Sequence, residues 1–135
     1  MTPAMTNTMR PPIWRSILAV VLGYLVIAVC TNFGFKPLGG IVHLDAPLAV
    51  HVAGTLVAVL SGLFGGATAA AVAGKMPVRH AVAVLLFLIA DTAFVVSQRG
   101  PDPLWFELGG SLVLMAATVA GGFAFALLQR RPAHS

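Results

Sequence analysis

The stretch GTLVAVLSGLFGGATAAAVAG, residues 54 to 74, holds no charged residue and sets Gly54, Ala58, Gly62, Gly66, Ala70 and Gly74 four positions apart. A helix turns about 100° per residue, so each member lies about 40° round from the last and the row winds slowly about the helix. In lipid no hydrophobic effect drives helices together, and rows of small residues promote association by letting backbones approach closely and gain dispersion contacts. The stretch therefore reads as a membrane-spanning helix with a packing face.

The rest of the chain is written the same way. Over 135 residues it is 59% hydrophobic and only 9% charged, against about 25% charged in a soluble domain, and its mean hydropathy is +0.95. A bilayer core takes roughly 20 apolar residues per helix, and four segments meet that need: 16–35, 46–74, 81–98 and 108–129. Asp91 is the one charged residue inside them. Between them stand Lys36-Pro37-Leu38-Gly39-Gly40, Lys75-Met76-Pro77 and Arg99-Gly100-Pro101-Asp102-Pro103, clusters that stop helices. Short connections make successive helices antiparallel. The expected fold is all-α, a single membrane domain over 1–135 forming an up-down bundle of four transmembrane helices, with 1–12 and 131–135 as flexible cytoplasmic tails.

The net charge of +4 does not point to nucleic acid, because the basic residues are scattered without interleaved aromatics. They fit membrane orientation instead, since Lys and Arg favour the cytoplasmic side. With the N-terminus inside, Arg10, Arg15, Lys75, Arg79, Arg130 and Arg131 are cytoplasmic, and only Lys36 and Arg99 face out. Both termini are then expected in the cytoplasm, with Trp14, Trp105 and Phe106 as interfacial anchors. The basic start and the apolar run from Ile17 to Val29 also suit a signal peptide, but no A-x-A-like site follows, so the segment is read as a span. Cys30 is the only cysteine, which excludes an intrachain disulfide and a CxxC redox pair.

The last span adds Gly109, Gly110, Ala117, Gly121 and Gly122, which are expected to face a partner helix. Two small-residue faces in a four-helix protein serve packing inside the monomer first; homo-oligomerisation is the alternative.

Asp91 lies in the middle of FLIADTAFVV, residues 87 to 96. His80, Asp91 and Gln98 are 11 and 7 residues apart, a spacing that returns to one helix face. His51 shares a face with Thr55, Ala58 and Gly62, so it is expected to point inward; Glu107, Ser111, Thr118 and Gln129 make a third stripe. At 1.5 Å per residue, Asp91 sits about 10 Å below the outer end of its span and His51 about 8 Å, depths that make His51 a candidate partner for Asp91. Glu107 lies nearer the outer surface, with Thr31 and Asn32. The candidate polar or ion site is thus Asp91, His51, Glu107, Thr55 and Gln98. An ionised Asp inside a span costs about 2.5 to 3.5 kcal/mol on insertion scales, so it either pairs with His51 or becomes protonated and donates a hydrogen bond. The pair could clamp helix register or relay protons.

Other chemistries find little support. His51, Asp91 and Glu107 offer nitrogen and oxygen ligands of a kind that binds zinc, but no HxxxH or HExxH spacing sharpens them. Haem would need facing histidines in two spans. Gly109-Gly110-Ser111-Leu112 is similar to the serine motif of intramembrane rhomboid proteases but lacks its closing Gly, and Gly65-Gly66 has no Gly-x-x-x-x-Gly-Lys-Ser/Thr around it. No catalytic residue, metal or cofactor is expected.

Gly65-Gly66, the run Ala73-Gly74-Lys75-Met76-Pro77-Val78-Arg79-His80-Ala81, then Pro103-Leu104-Trp105-Phe106 and Gly121-Gly122, together resemble a recurring arrangement in small bacterial four-span membrane proteins of unknown function. The resemblance implies a multi-pass protein of the bacterial cytoplasmic (inner) membrane and attaches no activity. Small multidrug transporters carry a glutamate in their first span, and this first span has no acid. Fluoride channels have Thr-rich pore motifs that are absent here, and disulfide-generating membrane oxidoreductases need cysteine pairs. The expected role is a structural or accessory component whose partners are the lipid bilayer and another membrane protein or a second copy. The alternative is a proton- or ion-coupled transporter or channel subunit using Asp91 and His51.

Overall fold

Each long helix begins at a proline. In the computed structural model, which describes residues 12–98 and 102–130, α1 (Ile13–Phe35) follows Pro12, α2 (Leu48–Ala73) follows Pro47, α3 (Pro77–Ser97) has Pro77 in its first turn, and α4 (Leu104–Gln129) follows Pro103. Proline suits a helix start because its fixed φ is already helical and its missing N–H would have no partner there. The apolar segments alone place the starts of α1, α3 and α4 three or four residues too late, since prolines and polar residues open those helices before the hydrophobic run begins. The expected tails, apart from Pro12, lie outside the described residues, as do Arg10, Arg99 and Arg131.

The helices run for 23, 26, 21 and 26 residues, or about 31 to 39 Å at 1.5 Å per residue, and all four are long and apolar enough to cross a membrane. Among the described residues there is no strand. A 3₁₀ turn at Lys36–Leu38 ends the first span. The link from α2 to α3 is only Gly74, Lys75 and Met76, a turn tight enough to need positive φ at Gly74 (70°) and at Met76 (53°).

α2 is the hub. It packs against α1, α4 and α3, whereas α1 and α4 make no contact and so occupy opposite corners. Around the bundle the order is α1, α2, α4, α3. Arg15 meets Val72, Gly23 meets Gly65 and Ala69, and Phe35 meets Gly54, so α1 and α2 run antiparallel. Gly62 lies against Leu114 and Ala117, and Gly66 against Thr118 and Gly122, so α2 and α4 run parallel.

Both α2 interfaces depend on missing side chains. A Cβ on Gly62 would lie 2.7 Å from the Leu114 carbonyl oxygen, and one on Gly66 would run into the Thr118 carbonyl. From the other side, a Cβ on Gly121 would strike the Leu63 backbone, and one on Gly122 the Ala81 side chain. Toward α1, a Cβ on Gly65 would lie 2.8 Å from the Gly23 carbonyl oxygen and clash with Ile27. Ala58 and Ala70 are buried in the same row, Gly54 meets Val42 and Phe35, and Gly74 ends the helix beside Arg15. Arg15 donates from Nε to the Val72 carbonyl at 2.9 Å, satisfying one of the acceptors that a helix end leaves open. Ile27, Ala69, Val84 and Leu88 form the buried apolar cluster where α1, α2 and α3 meet.

Gly109 and Gly110 depart from expectation. A Cβ on either would meet nothing within 4 Å. Gly110 shares a helix face with Ala117 and Gly121 by spacing, yet both glycines are exposed at this end. Nearby, the His51 and Phe106 rings, with centroids 5.6 Å apart, join α2 to α4.

Gly66→Ala should therefore destabilise the protein by about 1–3 kcal/mol, the usual cost of overpacking, because a backbone carbonyl has to move. Gly110→Ala should leave stability unchanged or raise it by up to ~1 kcal/mol through helix propensity. Unfolding in detergent micelles measures both, and equal effects would contradict the packing described.

Candidate functional site

Asp91 stands on α3 six residues before its end at Ser97, about 9 Å along the axis, and it is exposed on the outside of the bundle. Its neighbour is on α1. The Tyr24 side chain lies within electrostatic reach of the Asp91 carboxylate, and the Tyr24 ring lies 5.6 Å from that of Phe87, one turn earlier on α3. Tyr24 is the only tyrosine in the chain.

His51 belongs to another corner. It lies in the first turn of α2, half-buried, with Nδ1 3.2 Å from the Pro47 carbonyl; a carbonyl only accepts, so Nδ1 carries the proton. The ring meets Phe106 of α4 nearly edge-on, at 75°. Asp91 thus faces the α1 corner and His51 the α4 corner, and these two corners do not touch. The expected pairing of Asp91 with His51 does not form: no hydrogen bond or ion pair joins them. The two lie at similar depth, but depth says nothing about the direction in which each helix turns its polar side.

The other candidates are also dispersed. Thr55 is exposed and donates to the His51 carbonyl at 2.9 Å. Gln98 is exposed, and its backbone N–H closes the end of α3. Glu107, half-buried in the first turn of α4, has an enclosed Oε2 with no hydrogen-bond partner among the described residues, at a helix end whose dipole favours negative charge. No three His, Cys, Asp or Glu side chains among the described residues converge as a metal site. One spacing argument keeps its geometric content: His80 and Asp91 both lie along the α1–α3 face, His80 in a groove with Ser16 and Asp91 farther up beside Tyr24.

A polar contact that sequence reasoning did not single out ties the two loops at the Asp91 end. The His43 Nδ1–H donates to Asp102 Oδ2 at 2.7 Å, and the Leu44 N–H donates to Asp102 Oδ1 at 3.1 Å. One carboxylate so clasps the α1–α2 loop to the α3–α4 loop. The only signal in the sequence is a His and an Asp in short loops at the same end of an up-down bundle. The His43 hydrogen bond, and after it the Leu44 N–H, hold the Asp102 carboxyl below its ordinary value of 3.8.

No protein-family profile, curated protein or solved structure matches this chain.

A carboxyl whose folded value is depressed adds stability above its unfolded value and loses it as pH falls through the folded one. The clasp should therefore hold at every pH above 3.8 and open only below it. Hydrogen exchange at the Leu44 amide should stay slow down to that pH and quicken under it, and Asp102→Ala should make it fast throughout. Opening well above that pH would show that something other than the carboxylate holds the loop.

Proposed function

We propose that this four-span protein is a structural or accessory component that binds another membrane protein through the part of its α1–α3 face that carries Asp91. The observation behind this reading is the exposure of Asp91 inside a membrane-spanning helix, with Tyr24 beside it and no ion-pair partner among the described residues. Facing lipid, an ionised Asp at the centre of a span costs about 2.5 to 3.5 kcal/mol. A polar or cationic side chain on a neighbouring transmembrane segment would offset that cost and make the carboxylate a contact that specifies the partner. The transport reading needs polar groups along one path; here Asp91 lies on the α1–α3 side, apart from His51 at its α2–α4 contact, and the core is mainly apolar, with Ser61 and Thr118 its buried polar side chains among the described residues. The excess of Lys and Arg at the end holding both termini supports a cytoplasmic placement of that end by the positive-inside rule, and the resemblance to small bacterial four-span proteins supports the bacterial cytoplasmic membrane.

A photocrosslinking residue at Val95, one turn beyond Asp91, should give a discrete heavier protein species in the native membrane. A probe at Leu112, exposed on α4, should give none. Asp91→Asn should remove the Val95 adduct while leaving membrane insertion and thermal stability unchanged. A pH-dependent proton flux in proteoliposomes that Asp91→Asn abolishes, with no Val95 adduct, would assign the residue to transport instead.

A further inference from the structure

The other half of the α1–α3 face carries a second arrangement. A groove of about 350 Å³ opens there, walled by Ile17 and Val20 of α1 and Phe87 of α3, with Ser16, Arg79 and His80 at its mouth. The mouth lies at the end of the bundle that holds Arg15, Arg79 and Arg130, and among the described residues no side-chain carboxylate pairs with these three. All four acids of the chain, Asp45, Asp91, Asp102 and Glu107, lie in the opposite half. Arg79 is exposed and makes no ion pair among the described residues; its Nη1 reaches only the Met76 sulfur, at 3.4 Å. His80 donates from Nδ1 to the Met76 carbonyl at 3.1 Å, which leaves Nε2 uncommitted.

We propose that this groove binds one anionic phospholipid from the adjacent leaflet, its phosphate held by Arg79, Ser16 and His80 and an acyl chain lying along Ile17, Val20 and Phe87. Basic pockets between helices at a membrane surface recognise acidic head groups, and a guanidinium offers paired N–H donors that match phosphate oxygens. The apolar wall distinguishes a lipid from a free anion, because inorganic phosphate would leave it unused. The dimensions agree as well: from His80 to Phe87 is about 10 Å along the helix, within one half of a hydrocarbon core of about 30 Å. The head-group end of the site lies about 16 Å along α3 from Asp91, and only its Phe87 end approaches Tyr24, so the phosphate contacts stand whether or not a protein partner binds at Asp91.

Native mass spectrometry of the full chain in nonionic detergent, titrated with phosphatidylglycerol or phosphatidylcholine, tests the assignment. One phosphatidylglycerol should be retained in preference to phosphatidylcholine. Arg79→Gln should weaken that binding about fivefold, which corresponds to ~1 kcal/mol per basic residue near the surface at 1.4 kcal/mol per tenfold. Ala83→Trp, which fills the groove and keeps both basic side chains, should abolish it, and Lys36→Gln at the opposite end should not change it. Equal retention of the two lipids, binding insensitive to both Arg79→Gln and Ala83→Trp, or displacement of the lipid by equimolar inorganic phosphate would each overturn the proposal.

Discussion

At Gly66 a single added carbon would overlap the Thr118 carbonyl, and at Gly65 it would crowd the Gly23 carbonyl oxygen at 2.8 Å. These two adjacent glycines point to different neighbours, and the architecture follows from that division. α2 presents one small-residue face to α4 and another to α1, so both can lie backbone to backbone against it. Each atom pair in such a contact contributes only about 0.1–0.2 kcal/mol of dispersion, but close approach multiplies the pairs, and glycine and alanine lose no side-chain entropy in making them. With α1 and α4 held on opposite sides of α2, α3 fills the remaining corner and touches all three.

That arrangement sets where the polar groups go. Had the helices closed into a ring in chain order, α1 would lie beside α4. Because α2 takes α4 as its parallel neighbour instead, α3 comes to lie along α1, and Asp91 meets Tyr24 while His51 packs on Phe106. The two ends of the bundle acquire different chemistry: one carries the carboxylates and the His43–Asp102 clasp, the other carries basic side chains without an acid among them. These polarised ends and the glycine-lined packing of the centre are the features on which the proposed sideways interaction through the α1–α3 face rests.

Much of this fold was legible in the sequence because membrane spans are a matter of composition and length, and the row from Gly54 to Gly74 marks the central helix by spacing alone. Helix starts are less so: Pro77 and Pro103 read as helix breakers and Pro12 as the end of a tail, whereas all three stand where helices begin, since a proline there sacrifices no hydrogen bond. The candidate site was legible only helix by helix. His80 and Asp91 do share a face, but which helix that face meets depends on how four cylinders are ordered, and nothing in one helix's periodicity encodes its neighbour. Gly109 and Gly110 show the same limit from the packing side, for they have the residue type of a contact and the position of an open end. Tyr24 escaped attention because a lone tyrosine in an apolar span reads as core until its hydroxyl is given a partner.

Asp91 faces α1 at the outside of the bundle, beside Tyr24. In a Cys30→Ser background, the pairs Tyr24→Cys with Asp91→Cys, and His51→Cys with Asp91→Cys, can be treated in native membranes with a short bifunctional thiol reagent. Intramolecular crosslinking should be efficient for positions 24 and 91 and absent for 51 and 91. Efficient crosslinking of 51 to 91 with none between 24 and 91 would contradict the helix order, and with it the placement of the acid on the α1–α3 face.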